Sequence, residues 1–151
     1  MRSTLFISDS KSNYSKKISD VLAVLLGPGI SIDTNSISKN INRYKNIVFT
    51  ICIGSNYMAE ETLSYIKDIK ENLKNKKIAM LVILENGVNI EECKINIRKV
   101  LGKKPDILSF TINRVEEKVL LDIAHNIAKV MNKNSKKVDD LAYILEKLKS
   151  K

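Results

Sequence analysis

Tryptophan is absent, and five tyrosines with three phenylalanines are the whole aromatic complement of 151 residues. Such a chain poorly supplies a platform of rings for stacking unpaired bases. It has one histidine, and its two cysteines, Cys52 and Cys93, form no CxxC pair. The usual nitrogen–sulfur zinc sites are therefore not expected. Both cysteines fall in apolar-periodic segments and read as buried thiols; a reactive nucleophile is the minor reading. No apolar window approaches the length of a membrane span. Met1 to Thr4 lead straight into a strand-like run, so no secretory signal is expected and a cytoplasmic location is. With five glycines and two prolines, there is no low-complexity block and no repeat.

What is present suits one domain with a proper core: 44% of the residues are apolar. The net charge is +9, which permits nucleic acid, anionic lipid or a phosphorylated cofactor as partner. The lysines are spread, however. Lys76-Lys77, Lys103-Lys104 and Lys136-Lys137 are short pairs between periodic segments, and a solvated basic surface is the preferred reading over nucleic-acid binding.

Extended and helical patterns alternate. Thr4 to Ser8 reads as a short buried strand. Ile18, Val21, Leu22 and Leu25 have the spacing of a helix from Ser15 to Leu25, stopped by Gly27-Pro28-Gly29. Ile30 and Ile32 suggest a brief second strand, and Thr34 to Arg43 a short helix or irregular connection. Asn46 to Gly54 and Lys77 to Leu84 are apolar on both faces, as central strands of a parallel sheet are. Helices are expected over Met58–Leu73 and Ile90–Leu101, and a fifth strand over Pro105–Ile112. Asn113 would cap the next helix with Glu116 as its capping-box partner, and Val115, Val119, Ile123 and Ile127 would line its buried face. This order predicts right-handed crossovers in an α/β fold: three layers, doubly wound, with a five-stranded parallel sheet of order 2-1-3-4-5. The domain would span 1–132. A helical appendage at 133–151, striped by Val138, Leu141, Ala142, Leu145 and Leu148, would fold back or pair with another copy.

A sheet of that order places ligands at the switch between its first and third strands. After the first strand come Ser10, Ser12 and Ser15, with Asn13 able to take a left-handed backbone. The following helix start aims free N–H groups at the same point, a suitable place for a phosphate ester. On composition alone, plain helix capping is the commoner outcome. His125, beside Asp122 and Asn126, is expected to face water. Glu60 and Glu61 would complement the dipole of their helix.

Ser10-Lys11-Ser12-Asn13-Tyr14-Ser15 resembles, without a gap, the phosphate loop of the flavodoxin superfamily: a strand, then Ser/Thr-x-Ser/Thr-Gly-x-Ser/Thr, then a helix. Asn13 stands where the glycine belongs. The resemblance implies a flavodoxin-like fold and FMN as cofactor, its 5′-phosphate held by Ser10, Ser12, Asn13 and Ser15, with Lys11 and Tyr14 completing the loop. It further implies that Ile53, Gly54, Ser55 and Asn56 offer backbone groups to the flavin ring. Tyr57 would stack on that ring or simply pack at the helix start. Glu85, Asn86 and Gly87 form the turn that would supply exposed amides from the other side. Within the superfamily the chain is similar to the group that includes menaquinone-dependent protoporphyrinogen oxidase, through the Tyr57-Met58 region and Gly102 to Leu108. The ending departs from that group, which usually carries an aromatic-basic tail.

Two functions follow as expectations. One is an FMN-binding redox protein, an electron carrier or small oxidoreductase, whose redox partner would carry an acidic face; contact with an anionic membrane would also suit the charge. The other is a fold of this kind without flavin, acting as an interaction or regulatory module, with the last helix as a contact element or homodimer seam. A phospho-receiver is rejected because Asp9 has no acidic neighbour and no aspartate follows the third strand.

Overall fold

A computed structural model describes residues 4–149. Five strands, β1 (Thr4–Ser8), β2 (Gly29–Asp33), β3 (Asn46–Ile53), β4 (Lys77–Leu84) and β5 (Ile107–Ile112), alternate with helices. These are α1 (Asn13–Leu25), α2 (Glu60–Ile69), α3 (Ile90–Leu101), α4 (Glu117–Val130) and α5 (Lys136–Lys149), with one 3-10 turn, Lys70–Leu73, extending α2. The strands pair in parallel in the order β2-β1-β3-β4-β5, the expected doubly wound sheet.

Successive side chains of a strand point to opposite faces, and here each face has its own core. Ile7, Phe49, Met80 and Val82 face the layer of Ile66, Ile69 and Ile97 from α2 and α3. Phe6, Val48 and Leu81 face Leu22 of α1 and Ala124 and Ile127 of α4. This is why β3 and β4 show no polar alternation: both of their faces are covered. Gly29 is required by close approach, since a Cβ there would lie 2.6 Å from the Phe6 ring and 2.8 Å from the Thr4 carbonyl.

Of the two alternatives for Thr34 to Arg43, the irregular connection forms, as a series of turns. Asp33 Oδ1 accepts the N–H groups of Asn35 and Ser36, and Ser38 Oγ accepts that of Asn40, so side chains take backbone donors that a helix would use. Other local expectations change. Val21 and Val119 are exposed. The inward stripe of α1 runs through Ser15, Ile18, Ser19, Leu22 and Leu25, and that of α4 through Leu121, Ala124 and Ala128 with Ile123 and Ile127. Asn113 does not cap α4; it takes a left-handed conformation (φ 65°), and its Oδ1 accepts the Asn86 N–H at 3.2 Å. Glu116 occupies the N-cap position with no side-chain cap bond.

Helix α5 folds back against α4. Val138 is buried, His125 Nδ1 lies 3.4 Å from Asp139 Oδ1, and Lys137 Nζ donates to the Val24 carbonyl at 3.3 Å. Leu141, Tyr143, Ile144 and Leu148 remain exposed along it. Among the described residues, no helix is long and apolar enough to cross a membrane.

Phe49 is fully buried, whereas Val24 is 65% exposed. Phe49→Ala should lose about 3–5 kcal/mol of unfolding free energy and Val24→Ala less than about 0.5 kcal/mol. Urea unfolding measures both; equal losses would contradict this placement of the core.

Candidate functional site

The chain leaves β1 through Asp9, which is fully buried. Its Oδ1 accepts the Lys11 N–H at 2.9 Å and the Tyr57 hydroxyl, and its Oδ2 accepts the Thr62 hydroxyl at 2.6 Å. One carboxylate thus ties the β1 exit to the β3 exit and to the first turn of α2. Three donors meet the need of a buried acceptor group for full hydrogen bonding.

Ser12 is the N-cap of α1, extended at φ −127°, and its Oγ accepts the Ser15 N–H at 3.1 Å. The hydroxyls of Ser12 and Ser15 lie 3.2 and 3.1 Å from Cys52 Sγ. Cys52 is therefore half-buried at the mouth rather than a core thiol, while Cys93 is buried, and burial, then the charge of Glu92, pushes the Cys93 thiol up. Ser10 donates its hydroxyl to Glu61 Oε2 and its N–H to Thr34 Oγ1 at 3.0 Å. Lys11 Nζ stands 4.0 Å from Glu61 Oε1.

Two loop residues behave otherwise than expected. With Ser12 as cap, Asn13 is the first residue of a right-handed helix and has no positive φ. Tyr14 turns away from the mouth, where its hydroxyl accepts the Val115 N–H at 2.9 Å and so fixes the entry to α4.

On the β3 side, the Gly54 N–H donates to the Tyr57 carbonyl at 2.7 Å and the Ser55 N–H to Glu85 Oε2 at 3.2 Å. Asn56 and Ser55 are exposed and Ile53 is buried at the strand end. The Glu85 carboxyl lies over Gly54, within 2.4 Å of where a Cβ would sit. Tyr57 is an anchor: its ring packs on the core and its hydroxyl is held by Asp9. Its pKa is pushed far up, by burial first, then by the hydrogen bond and charge of Asp9, then by Glu61 and Glu60. In the β4 turn three of the amides are already used. Those of Glu85, Asn86 and Val88 donate to Ile53 O, Asn113 Oδ1 and Glu85 O, while Gly87 (φ 94°) opens on free space.

The structure thus gathers Ser10, Ser12, Ser15, Gly54, Ser55 and Glu85 around one mouth. It adds residues that sequence reasoning left out: Asp9, Thr34, Cys52, Glu61 and Thr62. An acid placed directly after a buried strand was the available signal for Asp9; the others are 24 to 53 residues from their partners and carried none. Ser8 Oγ and Thr50 Oγ1 are buried without a hydrogen-bond partner. They face each other across β1 and β3, on the Phe6 and Val48 side that meets α1.

The backbone frame suits a phosphate ester. The first turn of α1 carries no acid, so the positive end of its dipole is uncancelled from within, and the amides of Asn13 and Tyr14 have no intrahelical acceptor. The side chains crowd that frame: Glu61 holds Ser10, and Glu85 covers Gly54. FMN fits only when these two turn outward. Glu85 is exposed and the Glu61 side chain is 41% exposed, so both have solvent to turn into.

No family model and no curated protein matches the chain. Solved structures do. Oxidised flavodoxin 1 from Bacillus cereus superposes with a TM-score of 0.65 at 16% identity, over 86% of this chain and 97% of that one. A flavodoxin from the domain Archaea gives 0.66 at 10% identity, over 92% and 99%. Rubredoxin oxygen:oxidoreductase from Desulfovibrio gigas gives 0.64 at 14% identity, over 87% of this chain and 36% of that one. The fold is flavodoxin-like.

Burial also raises Tyr65, to about 12; its hydroxyl donates to the Ser38 carbonyl at 2.6 Å. Tyrosines of the unfolded chain ionise near about pH 10. The folded state therefore binds more protons above that pH. The stabilising contribution of Tyr57 and Tyr65 is complete below about pH 10 and lost as pH rises toward their folded values. At about pH 11, near-ultraviolet absorbance should report at least two of the five tyrosines still protonated until urea is added. Simultaneous ionisation of all five would contradict the Asp9–Tyr57 anchor.

Proposed function

We propose that this chain is a flavodoxin-like flavin redox protein that takes FMN at the β1/β3 mouth, with the phosphate ester over the start of α1. The observation that carries this reading is convergence. Ser10, Ser12 and Ser15 meet the acid-free first turn of α1 at the carboxyl end of β1, in a sheet whose order puts ligands there. The likeness to flavodoxins supports it. When bound, the flavin would supply one- or two-electron transfer. The chain would bind and orient it: Lys11 would exchange Glu61 for the phosphate, and the Gly54–Asn56 and Glu85–Gly87 turns would flank the ring. Kinship with the protoporphyrinogen oxidase group rests on the Tyr57-Met58 and Gly102–Leu108 stretches alone, and no porphyrinogen activity is proposed. The acidic partner face expected from the net charge gives way to a basic one in this proposal, because a redox partner approaching the mouth would meet Glu60, Glu61 and Glu85.

A specific observation favours a second reading. Glu61 accepts the Ser10 hydroxyl and the Glu85 carboxyl covers Gly54, where the first reading would put phosphate and ring; this crowding suits a flavin-free interaction module of the same fold.

FMN added to the purified protein should lose fluorescence on binding. Ser12→Asp should abolish binding by setting a like charge against the phosphate. Glu61→Gln should tighten it by about tenfold, the effect of about 1.4 kcal/mol of relieved repulsion. Failure of both the native protein and Glu61→Gln to bind FMN would decide for the flavin-free module.

A further inference from the structure

Charge is divided between the two ends of the sheet. The mouth at the carboxyl ends holds Asp9, Glu61 and Glu85. At the opposite end, where β3 and β4 begin, two cavities of about 600 and 580 Å³ adjoin, sharing Lys45 and Asn75 in their walls. Lys45, Lys77 and Lys133 line the first; Arg43, Lys45 and Lys76 line the second. Most of the other polar groups are asparagine amides, Asn46, Asn132 and Asn134 on one side and Asn42 and Asn72 on the other. They adjoin along Lys45 and Asn75, forming a channel whose walls carry five cations and one carboxylate, Glu71.

The ammonium groups here are not balanced by acids. Lys77 Nζ donates to the Val130 carbonyl at 2.8 Å, Lys133 Nζ to that of Pro28 at 3.2 Å, and Lys76 Nζ to that of Tyr44. Beside them, Lys103 Nζ donates to the carbonyls of Lys74 and Lys76 at 3.3 and 2.7 Å. Among the described residues, none of these, nor Lys45, has a carboxylate at ion-pair distance. Glu71, in the wall of the second cavity, is taken by Lys74 at 2.6 Å, and Asp106, nearby, accepts the Ile78 N–H at 2.8 Å. Burial lowers the pKa of Lys76 and Lys133; both are partly stripped of water without an anion in return. Bonds to backbone carbonyls account for one or two of the three donors on Lys76, Lys77, Lys103 and Lys133. The remaining donors are available to a ligand.

We propose that this channel binds a single strand of nucleic acid by its phosphodiester backbone. Two joined cavities suit an extended polyanion better than one phosphate, and a concave floor suits a strand better than the plane of a membrane. No tryptophan exists to stack a base, and Tyr44, the one ring in the walls, is buried. Contacts are therefore to phosphate and sugar, indifferent to sequence and steeply dependent on salt. The site is independent of flavin at the mouth.

Fluorescence anisotropy of a labelled single-stranded DNA of about 15 nucleotides tests this on the full chain. Binding should appear at about 50 mM salt and weaken by about twentyfold to fiftyfold at about 200 mM, as three or four neutralised phosphates require. Lys45→Ala, which removes no recorded side-chain bond, should weaken it by a few-fold, and Lys45→Glu with Lys133→Glu by at least about tenfold. Lys16→Glu with Lys118→Glu, an equal charge change at the other end of the molecule, should leave it nearly unchanged. Absence of binding at low salt, equal loss in the control pair, or preference for duplex or for vesicles containing about 30% phosphatidylserine would each overturn the proposal.

Discussion

The carboxylate of Asp9 lies where three segments meet, and it is sealed from water. A buried carboxylate is tolerated only when donors surround it, and the donors here come from the β1 loop, the β3 loop and α2. The mouth is built outward from that point. Tyr57 is drawn inward, and Thr62 docks the start of α2. With its N–H given to Asp9, Lys11 shapes the loop so that Ser12 falls at the N-cap of α1. Removal of this one acceptor would orphan three donors at the junction of three segments.

Around this anchor the mouth gathers carboxylates and the base of the sheet gathers lysines. Glu61 and Glu85 narrow what anion can enter the mouth, while the acid-free first turn of α1 and Lys11 invite a negative group. At the amino ends, lysines rest on backbone carbonyls. A formal charge of +9 therefore describes neither end. What a partner meets depends on which end it approaches, because screening limits the field of each cluster to about 10 Å.

Much of the fold was legible in the residues. The two-face apolar runs of β3 and β4 required a covered parallel sheet, and alternation with helices then left few topologies. The candidate site was legible only as a location. Ser10, Ser12 and Ser15 do converge, but Asn13 is helical rather than left-handed, the Tyr14 hydroxyl is held at Val115, and Tyr57 takes the packed alternative. Ser12 caps the helix, and that single bond makes Asn13 helical. Tyr14 finds its partner at Val115, 101 residues away, and Tyr57 finds Asp9. Hydrogen bonds of that span leave no periodic trace.

Local preference and hydrophobic period are properties of neighbours along the chain, so strands, helices and their order could be read from the sequence by itself. Which side chains would fill the mouth, and which lysines would stand together, are properties of the folded surface. Lys45, Lys77 and Lys133 lie scattered along the chain, yet one cavity collects them; Glu61 and Ser10 become partners only when α2 docks beside β1. Tertiary packing decided these because Coulomb and hydrogen-bond energies depend on distance in space, which separation in sequence does not report.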